Sequence, residues 1–273
     1  PSSGNGLIIL NGADRVTIDG SLGGGSDRSL TLSNTSATAA VVWIRSASAV
    51  DGSTFDTVKN CVITGGSGTT TVAGVVAGGA TFGSPADFPN SNNTLQNNVI
   101  TRVQSAMELF GNASLLAQNW LVTGNTFGST DAADKLGVRG LLIGNAQAFT
   151  FSGNTIHGVV SSTTSSSTVS GIQLVGNLAT GSISKNRISD IKQTNPAGWG
   201  SNGVSLGAAT TASNVTVSNN FIWDVASQGF NGVDVADNGY GIVAVSGGGY
   251  KIYGNSVNLN TDQAAANGIT AGL

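Results

Sequence analysis

The chain has 273 residues, 40 of them glycine, with only 9% charged residues, a net charge of −3 and a pI near 4.9. No basic stripe exists to neutralise phosphates, which argues against nucleic acid as a partner, and no apolar run approaches about 18 residues, so no membrane-spanning helix is expected. The low charge does not signal disorder, because 39% apolar residues arranged periodically can offset the ordering entropy.

Cys61 is the single cysteine, so no disulfide staples the fold and no Cys/His zinc set can be assembled. His157, Glu108 and Met107 are likewise single. The remaining composition, rich in Ser, Thr, Asn and Gly, is that of turn-rich β structure.

In chain order, Leu7-Ile8-Ile9-Leu10 reads as a strand and Arg15-Val16-Thr17-Ile18-Asp19-Gly20 as the next. The glycines of Leu22-Gly23-Gly24-Gly25-Ser26-Asp27 mark a loop. Ser29-Leu30-Thr31-Leu32 returns as a strand, and Val41-Val42-Trp43-Ile44 is too continuously apolar to have one face in water.

From there one phrase recurs. In Val215-Thr216-Val217-Ser218-Asn219-Asn220-Phe221-Ile222-Trp223-Asp224-Val225, apolar residues sit at offsets 0, 2, 7 and 10 and an asparagine at 5. That is two short alternating strands hinged at the asparagine. The frame fits six asparagines: Asn98, Asn125, Asn154, Asn186, Asn220 and Asn255. In a seventh, weaker copy Cys61 stands in the asparagine place, and is expected to be a buried small residue there. The spacing of 27 to 35 residues means a repeat architecture with one supersecondary unit per period.

A second motif lies between the phrases, as in Gly74-Val75-Val76-Ala77, Gly140-Leu141-Leu142-Ile143 and Gly203-Val204-Ser205-Leu206. Each coil therefore has three short strands. Stacked coils place like strands about 4.8 Å apart. The inward asparagine amides are expected to bond to their equivalents above and below as a ladder, and asparagine also tolerates the left-handed backbone a bend needs. Insertions at Thr81 to Asn92, Ser129 to Lys135, Ser161 to Thr168, Gln193 to Ser201 and Ala226 to Asn238 ride outside this core, on faces the spacing does not reveal.

The segments Asn92 to Ile100, Phe151 to Ile156 and Val16 to Gly20 resemble right-handed parallel β-helix repeat proteins of the pectate-lyase-like class. The opening from Val16 also looks like the repeat region of large secreted bacterial surface proteins. The resemblance covers essentially the whole chain and implies an all-β, right-handed, single-stranded parallel β-helix over residues 1–273 as one domain. About eight coils of three short strands are expected, in a secreted or cell-surface bacterial protein. Activity does not follow from it, because this fold serves lyases, hydrolases, adhesins and passive stalks alike.

Polygalacturonase-like members carry an Asn-Thr-Asp segment, an Asp-Asp pair and a Gly-His-Gly. This chain has Ile156-His157-Gly158 and no Asp-Asp pair, and its Asn260-Thr261-Asp262 comes about a hundred residues after His157, the reverse of the family order. Pectate lyases need clustered carboxylates for calcium and a base beside the uronate. Aligning the phrases puts Asp190 and Asp224 on successive coils, about 5 Å apart, with Arg102 in their column and His157, Ser189 and Trp223 in the next. His157, Asp190, Trp223 and Asp224 are thus the candidates for glycan or calcium, against the plainer reading that Arg187 and Lys192 satisfy both carboxylates. Asp131 with Asp134, and Asp234 with Asp237, are weaker calcium candidates in loops.

Trp120 and Trp43 are expected in the core, Trp199 and Trp223 at the surface. No threonine column is expected to run through all coils, which disfavours ice binding. Neither end shows a capping helix, so the chain is read as a segment of a longer coil or a unit that stacks end to end. These features predict a noncatalytic extracellular segment, a stalk, adhesin or filament component, with no cofactor unless calcium binds. The competing expectation is a module that binds or cleaves a polysaccharide or cell-surface glycan.

Overall fold

In a computed structural model of the chain, which describes residues 5–164, 167–227, 239–259 and 270–273, three parallel sheets wind around one apolar core. The first sheet begins at Gly6–Asn11 and Ala40–Arg45 and passes through Ser105–Phe110, Arg139–Gln147, Val169–Ala179 and Ser201–Ala208 to Gly239–Ser246 and Thr270–Ala271. The second runs from Thr17–Asp19 to Lys251–Tyr253, the third from Leu30–Ser33 to Ser256–Asn258, each with eight strands. In the second and third sheets eight levels are joined by seven passes, so the solenoid makes about seven turns against the eight coils expected. The only helical element among the described residues is the 3-10 turn Ala132–Asp134.

The repeat phrase forms as its alternation dictates. Its first half is a strand of the second sheet and its second half a strand of the third. Inward residues stack in columns, as Val122, Phe151, Ile183 and Val217 do, and all four are fully buried. The glycine-led motif lies in the first sheet. Its glycines are required by packing: a Cβ at Gly140, Gly171 or Gly203 would meet the Cγ2 of Ile156, Ile188 or Ile222 at 2.5 Å.

Val41-Val42-Trp43-Ile44 is buried on both faces. Val42 and Ile44 belong to the inner core. Trp43 joins an outer cluster with Ala40, Ala73 and Val76, where Phe82 from the Thr81 to Asn92 insertion meets its ring edge-on at 5.4 Å. Trp120, just before the strand Leu121–Thr123, is buried in the core as expected.

Of the five insertions, Ala226 to Asn238 lies almost wholly outside the described residues, and the other four fall at two corners. Those at Ser129 to Lys135, Ser161 to Thr168 and Gln193 to Ser201 leave the third sheet and enter the first, whereas Thr81 to Asn92 links the first sheet to the second. Among the described residues no helix is long and apolar enough to cross a membrane.

Candidate functional site

The most regular polar feature is the ladder at the bend between the second and third sheets. Asn98, Asn125, Asn154, Asn186 and Asn220 are buried, and Asn255 is half-buried. From Asn125 to Asn255 each amide carbonyl accepts twice from the asparagine one turn below. Asn125, for example, donates both its backbone N–H and an Nδ2–H to Asn154 Oδ1, at 3.0 Å each. The second Nδ2 hydrogen goes to a backbone carbonyl of the level below, as from Asn154 to Val122 at 3.0 Å. Both side-chain donors and the acceptor are thus satisfied without water, as burial demands.

Cys61 stands at the foot of this column, fully buried, its backbone N–H donating to Asn98 Oδ1 at 3.0 Å. Burial pushes its thiol pKa up, which makes it a poor nucleophile. The left-handed residue at each bend is not the ladder asparagine but the one before it: Asn97, Gly124, Gly153, Lys185, Asn219 and Gly254. The bend needs φ > 0 one residue earlier, which leaves the inward side chain on ordinary backbone.

The candidate glycan and calcium residues lie on the third sheet. Asp190 and Asp224 occupy the same position on successive turns, and the column beside them holds His157, Ser189 and Trp223. Both aspartates are left-handed, with φ of 54°, as is Gly158 below them.

Lys192 Nζ lies 2.9 Å from Asp190 Oδ1 and 2.8 Å from Asp224 Oδ2, and Lys135 Nζ lies 2.6 Å from Asp190 Oδ2. The chain of charges Lys135, Asp190, Lys192, Asp224 therefore alternates in sign. Burial raises the Asp190 pKa, but hydrogen bonds and charge from Lys135 and Lys192 outweigh it and leave the carboxyl below the usual range. For His157 burial dominates: it holds the imidazole below the ordinary histidine value, with Asp190 opposing and Lys135 assisting.

Of the two cations expected to satisfy these carboxylates, Lys192 does so. Arg187 instead lies over the Trp223 ring, 5.6 Å from its centroid. Phe221 stacks on Trp223 with centroids 4.6 Å apart and planes 26° from parallel. Phe221 is exposed and Trp223 half-buried. Trp199 is exposed on its insertion, as expected.

Lys135 was not legible as a member of this site, because it arrives from an insertion 55 residues before Asp190 and outside the repeat. Asp134 Oδ1 lies 3.8 Å from Arg102 Nη1, and the Asp134 N–H donates to the Asp131 carbonyl at 3.0 Å. The Asp234/Asp237 pair and Asn260-Thr261-Asp262 lie outside the described residues. Among the described residues no three His, Cys, Asp or Glu side chains are grouped to hold a metal ion.

A second polar cluster, unforeseen from the repeat, lies on the outer face of the first sheet. Glu108 and Arg139 sit on adjacent turns with Oε1 and Nη1 3.9 Å apart, and Arg139 Nε donates to Gln173 Oε1 one turn further on. Burial raises the pKa of Glu108, with Ser105 and Arg139 opposing. The one sequence signal for it is the chain's only glutamate, in the otherwise uncharged strand Ser105–Phe110.

Threonines do align on the outer face of the second sheet, at Thr17, Thr57, Thr94, Thr150 and Thr216. Leu121 and Ser182 break the column and Lys251 ends it.

These features define a three-sheet parallel β-solenoid with an internal asparagine ladder. Compared with known family models, with curated proteins and with solved structures, the chain matches none.

Proposed function

We propose that the chain is a noncatalytic structural segment, a stalk or filament component of a secreted or cell-surface bacterial protein. The observation that carries this reading is the closed charge chain Lys135–Asp190–Lys192–Asp224. Its carboxylates, the best candidates for chemistry in the repeat, are already held by ammonium groups at 2.6 to 2.9 Å. A lyase would need them free for calcium, with a base beside them. The ladder adds to the same reading, since it stiffens the turns without offering a group to solvent. The test compares the wild-type chain with an Asp190→Ala/Asp224→Ala variant on a panel of immobilised polysaccharides. Indistinguishable binding supports the structural role, and binding lost in the variant removes it.

A second reading is supported by the stacked Phe221 and Trp223 rings on the outer face of the third sheet. An exposed aromatic face is a platform for a sugar ring, which would make the segment adhesive. A Phe221→Ala/Trp223→Ala variant that loses retention on a glycan bound by the wild type would support adhesion; retention unchanged would remove it.

A further inference from the structure

Val16, Asp56 and Asn93 occupy one slot on three successive turns, at the corner that leads into the second sheet. Each follows a left-handed residue, Arg15, Phe55 and Asn92 respectively. The Val16 N–H donates to Asp56 Oδ1 at 2.8 Å, and the Asp56 N–H donates to Asn93 Oδ1 at 2.8 Å. This is a short second ladder in which an aspartate fills an asparagine's place.

The asparagine shows what the place requires. Asn93 sends an Nδ2–H down one turn to the Ser53 carbonyl at 3.0 Å. Asp14 pairs with Thr54, so Ala13 stands one turn below Ser53. The Ala13 carbonyl is therefore to Asp56 what the Ser53 carbonyl is to Asn93. Asp56 is 1% exposed, and its Oδ2 is buried with no hydrogen-bond partner. An ionised carboxylate only accepts, so in that state Oδ2 would face a carbonyl with nothing to give it. A protonated carboxyl has one O–H and reproduces the amide's pattern.

We propose that Asp56 carries a proton on Oδ2 in the folded chain and donates it to the Ala13 carbonyl, latching the first turn in acid and loosening it when the proton leaves. Burial, opposed by the Val16 N–H and aided by the Asp14 charge, pushes the Asp56 pKa up to about 6. The nearby Arg15 guanidinium does not offset the charge, since it lies over the Phe55 ring, 5.1 Å from the centroid.

The sign follows from linkage. The folded pKa lies above the unfolded one, so the folded chain holds the extra proton between them. The latch is fully formed below the ordinary aspartate value, weakens as pH rises towards 6 and is constant above that. The separation of the two values corresponds to about a hundredfold in the closing equilibrium.

The test is amide hydrogen exchange at Val16 and at Thr54, whose N–H donates to the Ala13 carbonyl at 2.8 Å. Protection is read from pH 4 to 8 after correction for base catalysis, in the wild type, Asp56→Asn and Asp56→Ala. The wild type is expected to lose about a hundredfold in protection as pH rises from 4 to about 6, with no further loss above that. Asp56→Asn keeps its protection throughout, because an amide donates at every pH, and Asp56→Ala lacks it throughout. Wild-type protection independent of pH would overturn the proposal. So would an Asp56→Asn chain that is less protected than the wild type at pH 7.5 or does not fold.

Discussion

Asn154 donates its backbone N–H and one Nδ2–H to the same atom, Oδ1 of Asn186, each at 3.0 Å. Two donors on one carbonyl tie each turn to the next through both main chain and side chain. Replacing Asn186 by leucine strands both donors of Asn154 in the interior. The expected loss is about 3 kcal/mol, since each unsatisfied buried group costs about 1–3 kcal/mol. Asn255→Leu, at a half-buried position, is expected to lose less, because water can reach the donors it abandons. Thermal unfolding of the two variants measures the difference, and equal, negligible losses would contradict the inward ladder.

Gly181 occupies the place that Phe149 holds one turn earlier, and a Cβ there would lie 2.0 Å from the Phe149 Cζ. The ring is 1% exposed and has nowhere to retreat without disturbing its neighbours. Gly181→Ala should therefore destabilise by about 1–3 kcal/mol through overpacking. Combining it with Phe149→Leu, which vacates the space, should give a loss smaller than the sum of the two single losses. Additive losses in a double-mutant cycle would show that the contact is not what makes glycine necessary.

Lys192 bridges two carboxylates, and its removal should be felt in the titration of Asp190. Asp190 titrates below the usual carboxylate range. It therefore contributes stability that is present above the ordinary aspartate value and is lost as pH falls through its lowered folded value. In Lys192→Met, Asp190 keeps Lys135 but faces Asp224 without the shared ammonium, and its pKa should rise. Carbon-13 carboxyl shifts followed against pH would record this, and an unmoved Asp190 titration would show that Lys135 alone sets it.

The same occupancy predicts indifference to calcium. A divalent ion would have to displace Lys192 from both carboxylates and Lys135 from one. Millimolar calcium should leave the melting temperature and the Asp190 and Asp224 carboxyl signals unchanged. A saturable shift confined to those signals would mean that the ammonium groups give way to the metal.

Much of the fold was legible because each turn reuses the same slots. Asn154 and Asn186 share an offset in the repeat, and so do Asp190 and Asp224, and both relationships survive in the register. The partners of those slots were less legible where they come from outside the repeat. Lys135 belongs to an insertion, so no period carries it to Asp190. Arg187 was expected to pair with an acid by its nearness in sequence, yet it points to the neighbouring column, where the Trp223 ring offers a face. The left-handed position was misplaced by one residue for a related reason: asparagines stand at both places in Asn97-Asn98 and Asn219-Asn220, so residue type alone does not tell the bend from the ladder.

The most direct test of the noncatalytic reading is to incubate the chain with a broad panel of neutral and acidic polysaccharides and measure new reducing ends and unsaturated uronate products. The account predicts no product above the protein-free control at any pH from 4 to 9, with or without calcium. Product formation that disappears on Asp190→Ala, Asp224→Ala or Glu108→Gln would contradict it and make the corresponding cluster an active site.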